Sequence, residues 1–206
     1  MTERIVSHIL NTESRLNNMN ILENDIDRIL VPEEEVASIE DRMAKQISED
    51  YADKNLLLLC ILKGSVVFFS DLMRKITLPM QIDFMKVTSY GKGSTSTGNV
   101  RILLDLHRED FSQVDVLIVE DIIDSGRTLS TLVEYLKMKG CRSVRTCTLL
   151  DKPARREVEF TPDYVGRIIP DEFVVGFGLD YAEKYRELPY VGILKPEVYK
   201  KKESLD

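Results

Sequence analysis

Val116-Leu117-Ile118-Val119-Glu120-Asp121-Ile122-Ile123-Asp124-Ser125-Gly126-Arg127-Thr128-Leu129 is the stretch on which the fold turns. Four aliphatic residues in a row, Val116 to Val119, predict a strand buried on both faces, as in parallel sheets. Two adjacent carboxylates follow, then two isoleucines, a third carboxylate and a Ser-Gly-Arg-Thr turn. From Thr128 the spacing becomes helical, with Leu129, Leu132, Val133 and Leu136 on one face and Gly140 as the C-terminal stop. The order is strand, acidic loop, small-residue turn, helix.

That order has a chemical meaning. The turn presents the backbone N–H groups of Ser125, Gly126, Arg127 and Thr128 at a helix N-terminus, where phosphate is attracted. Gly126 lets the backbone approach an anion closely. Glu120 and Asp121 face the crevice at the strand's carboxyl end, where open α/β sheets bind ligands. Carboxylates suit sugar hydroxyls and Mg²⁺ better than phosphate. A phosphorylated sugar fits both halves. The plainer reading is a buried strand and an ordinary capped helix, but three acids beside an apolar strand are costly without a ligand. A signalling receiver domain also ends a strand in paired acids, yet there the pair stands near the domain's start.

Working outward, Leu56 to Leu62 is an apolar strand ended by Lys63-Gly64, and Ser65 is expected to cap a helix carrying Val67, Phe68, Leu72 and Ile76. A second strand–Gly–helix unit therefore precedes the first. From Pro32 to Ser48 an amphipathic helix is predicted by Val36, Ile39, Met43 and Ile47, with Glu33, Glu34 and Glu35 suiting its first turn. Ile82 to Tyr90 and Val100 to Leu106 read as a long hairpin whose tip, Gly91 to Gly98, has no large apolar side chain and is expected to be mobile. Val144 to Leu150 is a strand ending in Asp151-Lys152-Pro153. Tyr164 to Ile168, Phe173 to Val175 and Tyr190 to Leu194 are short strands whose irregular spacing suggests a hood over the sheet's end. Residues 1–20 read as a polar extension outside the core, residues 21–206 as one domain, and the lysine-rich end as solvated.

Composition narrows the options. A chain of 206 residues, 43% hydrophobic, supports one compact core. No run approaches the about 18 apolar residues of a membrane span, and no exported leader is apparent. Cys60 and Cys147 lie within apolar runs and Cys141 has no paired spacing, so core thiols in a reducing cytoplasm are expected. His8 and His107 are isolated, which leaves no His-based triad. A net charge of −7 argues against nucleic-acid binding.

The stretch from Glu120 to Thr128 resembles the phosphoribosyl-pyrophosphate (PRPP) loop of the type I phosphoribosyltransferases. From about Ile21 to Tyr199 the chain resembles the bacterial-type hypoxanthine-guanine phosphoribosyltransferases. Leu62-Lys63-Gly64, Ser89-Tyr90-Gly91, Asp151-Lys152-Pro153 and the run Pro170 to Tyr181 all agree in order. The resemblance implies an α/β fold, a mostly parallel sheet flanked by helices with a small hood and a hairpin flap. It implies transfer of ribose 5-phosphate from PRPP to N9 of a 6-oxopurine in purine salvage, with Mg²⁺ and a homodimer or homotetramer. Glu120 and Asp121 would hold the ribose hydroxyls with Mg²⁺ nearby, and Ser125, Gly126, Arg127 and Thr128 the 5′-phosphate. Asp124 would take the N7 proton, its plainer role being a helix cap. Lys63, Gly64 and Arg186 would meet pyrophosphate, and the Lys63–Gly64 peptide can be cis in the family. Lys152, Phe173 and Val174 would hold the purine, Asp180 a second Mg²⁺, and Ser89 and Tyr90 the flap that closes over the site.

Within that fold an adenine or xanthine enzyme competes, and Lys152 argues against adenine because an ammonium faces its amino group donor to donor. A PRPP-sensing regulator would be expected to carry a basic face or a further domain.

Overall fold

The structure, a computed structural model of the chain, describes residues 22–89 and 100–200. The leading extension, Tyr90, the hairpin tip, His8 and the last lysines lie outside those residues, Lys200 excepted. Six strands form the main sheet in the order β4-β3-β2-β5-β6-β7. These are β2 (Leu56–Leu62), β3 (Gln81–Ser89), β4 (Val100–Leu104), β5 (Asp115–Ile123), β6 (Ser143–Asp151) and β7 (Tyr164–Ile168). All pair in parallel except β4, which returns antiparallel beside β3 as the hairpin reading expects.

The apolar runs are buried on both faces because helices cover both faces. Leu56, Leu58 and Cys60 pack with Val36, Met43 and Ile47 of α1 (Glu33–Asp50) and with Phe68 and Leu72 of α2 (Val66–Lys75). The intervening Leu57, Leu59 and Ile61 face the other way, onto Leu129, Leu132 and Leu136 of α3 (Arg127–Met138). The two-residue strand period thus splits one sequence run between two cores. At the end of α3, Gly140 takes φ +85°, its N–H donates to Lys137 O at 2.9 Å, and Cys141 N–H reaches Leu136 O at 3.3 Å. That is the Schellman arrangement, which favours glycine at this point.

Four sequence expectations need correction. The strand does not stop before the acids: β5 continues through Glu120 and Asp121 to Ile123, because pairing with β6 runs on to Ile123↔Asp151. Ser65 does not cap α2 with its side chain. Its hydroxyl turns back to the carbonyl of Ile61. Tyr164 to Ile168 is no part of the hood but the sixth strand of the main sheet, parallel to β6. The hood is a separate antiparallel sheet, β1-β9-β8, of Ile26–Val31, Val191–Leu194 and Val174–Val175, followed by the short α4 (Pro196–Tyr199). Strand β1 was not foreseen, and Phe173 lies just before β8.

Candidate active site

The carboxyl ends of β2, β5 and β6 share one rim of the sheet. At the end of β5, Glu120 and Asp121 stand side by side and half-buried. Burial pushes both carboxyls up, Glu120 well above its usual range with the neighbouring Asp121 adding to it. Asp121 rises to about 6, chiefly through burial, while the Ile122 N–H, 2.8 Å from its Oδ1, and the Arg186 charge work against the rise. Glu120, Asp121, Asp124, Ser125, Gly126 and Thr128 line a hollow of 150 Å³. A wider hollow of 480 Å³ beside Leu56 and Gln81 lies at the amino ends of the strands, the wrong end for an open-sheet ligand.

The turn has the form expected of an anion site. Gly126 is the N-cap of α3 at φ +82°, a left-handed conformation that favours glycine. Asp124 is exposed and makes no capping bond, so its plainer role as a helix cap falls away. Among the described residues, no protein acceptor takes the N–H groups of Ser125, Gly126, Thr128 or Leu129. Arg127 N–H reaches its neighbour Ser125 Oγ at 3.3 Å. The Arg127 side chain leaves the turn and pairs with Glu157 at 2.5 Å.

The loop after β2 closes against the same acids. The cis peptide is Leu62–Lys63, one bond before Lys63–Gly64. A Cβ on Gly64 would come within 1.8 Å of Asp121 Oδ2, and one on Gly178 within 2.0 Å of the Gly64 carbonyl oxygen. Gly64 is therefore wedged between the acidic strand end and the loop from Gly176 to Arg186, where a side chain would clash. Arg186 donates to Gly178 O at 2.8 Å and pairs with Asp180 at 2.8 Å. Glu183, which the sequence reading missed, binds Lys63 at 3.0 Å and Arg186 at 3.3 Å. Phe177, Ala182, Glu183 and Tyr185 in this loop all have positive φ. Such strain gathers at ligand sites.

On the other side, Lys152 N–H donates to Ile123 O at 3.0 Å, which fixes it beside the turn. Lys152 is buried, and no carboxylate among the described residues lies within ion-pair distance of it. Ile169 N–H donates to Asp151 O at 2.8 Å, and Arg155 pairs with Asp171 at 2.7 Å, which bring the segment leading to Phe173 and Val174 to this rim. Phe173 is part-exposed, one ring face stacked on Tyr199 at 4.8 Å. Ser89 ends β3. Glu120, Asp121 and Asp180 offer oxygen donors, but Asp180 is already engaged by Arg186 and by the Glu183 N–H at 2.9 Å. Among the described residues no three His, Cys, Asp or Glu side chains form a metal cage. Mg²⁺ sites commonly use one or two carboxylates and complete their shell with substrate phosphates and water, and this donor set fits that pattern.

Residues 30–182 match the model of the phosphoribosyl transferase domain. The bifunctional protein TilS/HprT of Listeria monocytogenes is 48% identical over 178 residues, which are 86% of this chain and 27% of that protein. The hypoxanthine-guanine phosphoribosyltransferase of Streptococcus thermophilus is 48% identical over 181 residues, 88% of this chain and all of that one. The crystal structure of a hypoxanthine phosphoribosyltransferase from Staphylococcus aureus superposes with a TM-score of 0.83 at 47% identity, covering 87% of this chain and 97% of that chain. The chain belongs to the phosphoribosyl transferase family.

Proposed function

We propose that this chain carries out purine salvage, transferring ribose 5-phosphate from PRPP to N9 of hypoxanthine or guanine and yielding IMP or GMP with pyrophosphate. The observation that carries the choice of base is Lys152, held beside the turn by its backbone with no hydrogen-bond or carboxylate partner for its ammonium among the described residues. An ammonium only donates, so a ligand at this rim has to supply the acceptor. The O6 of a 6-oxopurine is such an acceptor, and the amino group of adenine is not.

The remaining roles are those the family resemblance implies, and the positions of the residues support them. Glu120 and Asp121 take the ribose hydroxyls, and the N–H groups from Ser125 to Thr128 take the 5′-phosphate. Asp124, exposed at the edge of the turn, accepts the purine N7 proton as N9 bonds to C1′ and the C1′–O bond to pyrophosphate breaks. Lys63, Gly64 and Arg186 receive the pyrophosphate. Phe173 stacks on the purine and the Val174 backbone meets its edge. Glu120, Asp121 and Asp180 would hold Mg²⁺ directly or through water, and the ion would neutralise charge on the departing diphosphate. Ser89 and Tyr90 belong to a flap that shields the cationic sugar from water. The chain acts in the cytoplasm as a homodimer or homotetramer; among the described residues no helix is long and apolar enough to cross a membrane.

Incubation of PRPP and Mg²⁺ with hypoxanthine, guanine, xanthine or adenine, followed by chromatography, tests this reading. IMP and GMP should form and AMP should not. Absence of any nucleotide would refute it, and efficient AMP formation would refute the role of Lys152.

A further inference from the structure

The segment that leaves Lys152 passes beneath the phosphate turn, and its contacts are unusually directed. Arg156 donates from Nη1 to the main-chain oxygen of Asp124 at 2.9 Å and from Nη2 to Asp151. Its side chain is only 16% exposed. The next two residues, Glu157 and Val158, donate their N–H groups to the carbonyl of Ser125 at 3.0 and 3.3 Å. A Cβ on Gly126 would lie 3.1 Å from both Arg156 Cδ and Val158 Cγ2, so these side chains form the floor of the turn.

Peptide planarity converts these contacts into an orientation. In a trans peptide the carbonyl of residue i and the N–H of residue i+1 point in opposite directions. Arg156 holds the Asp124 carbonyl beneath the turn, so the Ser125 N–H faces the other way. Glu157 and Val158 hold the Ser125 carbonyl and do the same for the Gly126 N–H. Among the described residues neither N–H has a protein acceptor. The positive charge of Arg156 is already matched by Asp151, so what the guanidinium adds is geometry, for which its planar fork is suited and an ammonium is not. Asp151 adjoins Lys152, so one side chain spans the two subsites.

We infer that Arg156 is a positioning residue, one that aims the N–H groups of the turn at the 5′-phosphate and holds Asp124 in register with Lys152. The inference rests on the reading of this rim as a ribose-phosphate and purine site. Arg156→Gln and Arg156→Lys should each weaken GMP binding by roughly ten- to a hundredfold, the value of a lost hydrogen bond from a charged group. Lysine should fare no better than glutamine, because it keeps the charge but cannot bridge both acceptors. Binding of magnesium pyrophosphate, assigned to Lys63, Gly64 and Arg186 on another loop, should be unchanged in both variants. Titration calorimetry of the full chain with GMP and with magnesium pyrophosphate reads both effects. If the glutamine variant does not fold, the lysine variant, which retains the ion pair with Asp151, decides. Normal GMP affinity in the variants, full rescue by lysine, or equal losses for GMP and pyrophosphate would each overturn the inference. A wild-type chain that binds neither ligand would instead overturn the functional reading.

Discussion

The two ends of β5 treat their acids in opposite ways. At the amino end Asp115 is buried, and burial alone would raise its carboxyl. Arg142, Ser143 at 2.6 Å and the Asn55 N–H at 3.2 Å outweigh that and hold it below the usual carboxylate range. At the carboxyl end burial wins, and Glu120 and Asp121 are both pushed up. One strand thus carries an acid whose surroundings satisfy it and a pair whose surroundings do not. The first kind of group stabilises a fold; the second is an expense that only a ligand offsets.

If that division is real, substitutions at the two ends should separate activity from stability. The largest effect is expected at Asp124. Asp124→Asn should lower kcat roughly 10²–10⁴-fold, the usual share of acid–base catalysis, with PRPP binding and Tm nearly constant. A collapse of PRPP affinity at unchanged kcat would make it a ribose or metal ligand instead. Next comes Lys152→Met, which should raise KM for hypoxanthine and guanine about ten- to a hundredfold and leave KM for PRPP alone. Unaltered purine KM values would leave selectivity to the backbone around Val174.

At the amino end the pattern should invert. Asp115→Ala removes a buried acid from charged and neutral donors and should cost about 2 kcal/mol, a fall in Tm of roughly 4–8 °C at this chain length, with kcat unchanged. A loss of activity without loss of stability would break the division.

The smallest effect tests the same logic away from the rim. Glu40 on α1 is buried with one carboxylate oxygen unpartnered, and its other oxygen is 3.3 Å from Lys75. Burial pushes its carboxyl from 4.5 up to about 7, against the opposing pull of Lys75. A raised acid binds its proton more tightly in the folded chain. Its penalty is therefore absent below about pH 4.5, grows as pH rises through 7 and is complete above that. Glu40→Gln should match wild-type stability at pH 4 and exceed it at pH 8 in urea unfolding. Equal stability of the two proteins at pH 8 would show that Lys75 satisfies the charge.

What the sequence made legible follows from the range of the interactions. The run from Val116 to Leu129 announces itself because apolar patterning, a glycine turn and helical spacing are all local. Hence the central strand, α3 and its Gly140 stop, and the acidic pair could be read directly, whereas Lys152 was singled out only through the family resemblance. Strand β1 could not, because its pairing with β9 shifts register between Ile26 and Arg28 and again between Ile29 and Val31. Those irregularities erase the two-residue alternation that marks a strand. Strand β7 was misplaced for a related reason. It is five residues long, includes Gly166, and ends in Ile168, whose side chain is exposed, so it lacks the apolar run of β2 and β5. Glu183 and Arg156 were missed because each owes its place to a partner in another loop, Lys63 for one and the Asp124 carbonyl for the other. No local pattern records such contacts.

Lys152 stands at the rim with no protein partner for its ammonium among the described residues, left for the oxygen of a ligand. Thermal unfolding of wild type and Lys152→Met, each alone and with saturating GMP, tests this most directly. Without ligand the two should melt close together, because no protein group depends on the ammonium. With GMP at about a hundred times the wild-type Kd, the wild type should gain about 2.7 kcal/mol and the variant far less. A Lys152→Met chain that gains as much from GMP as wild type would contradict the account.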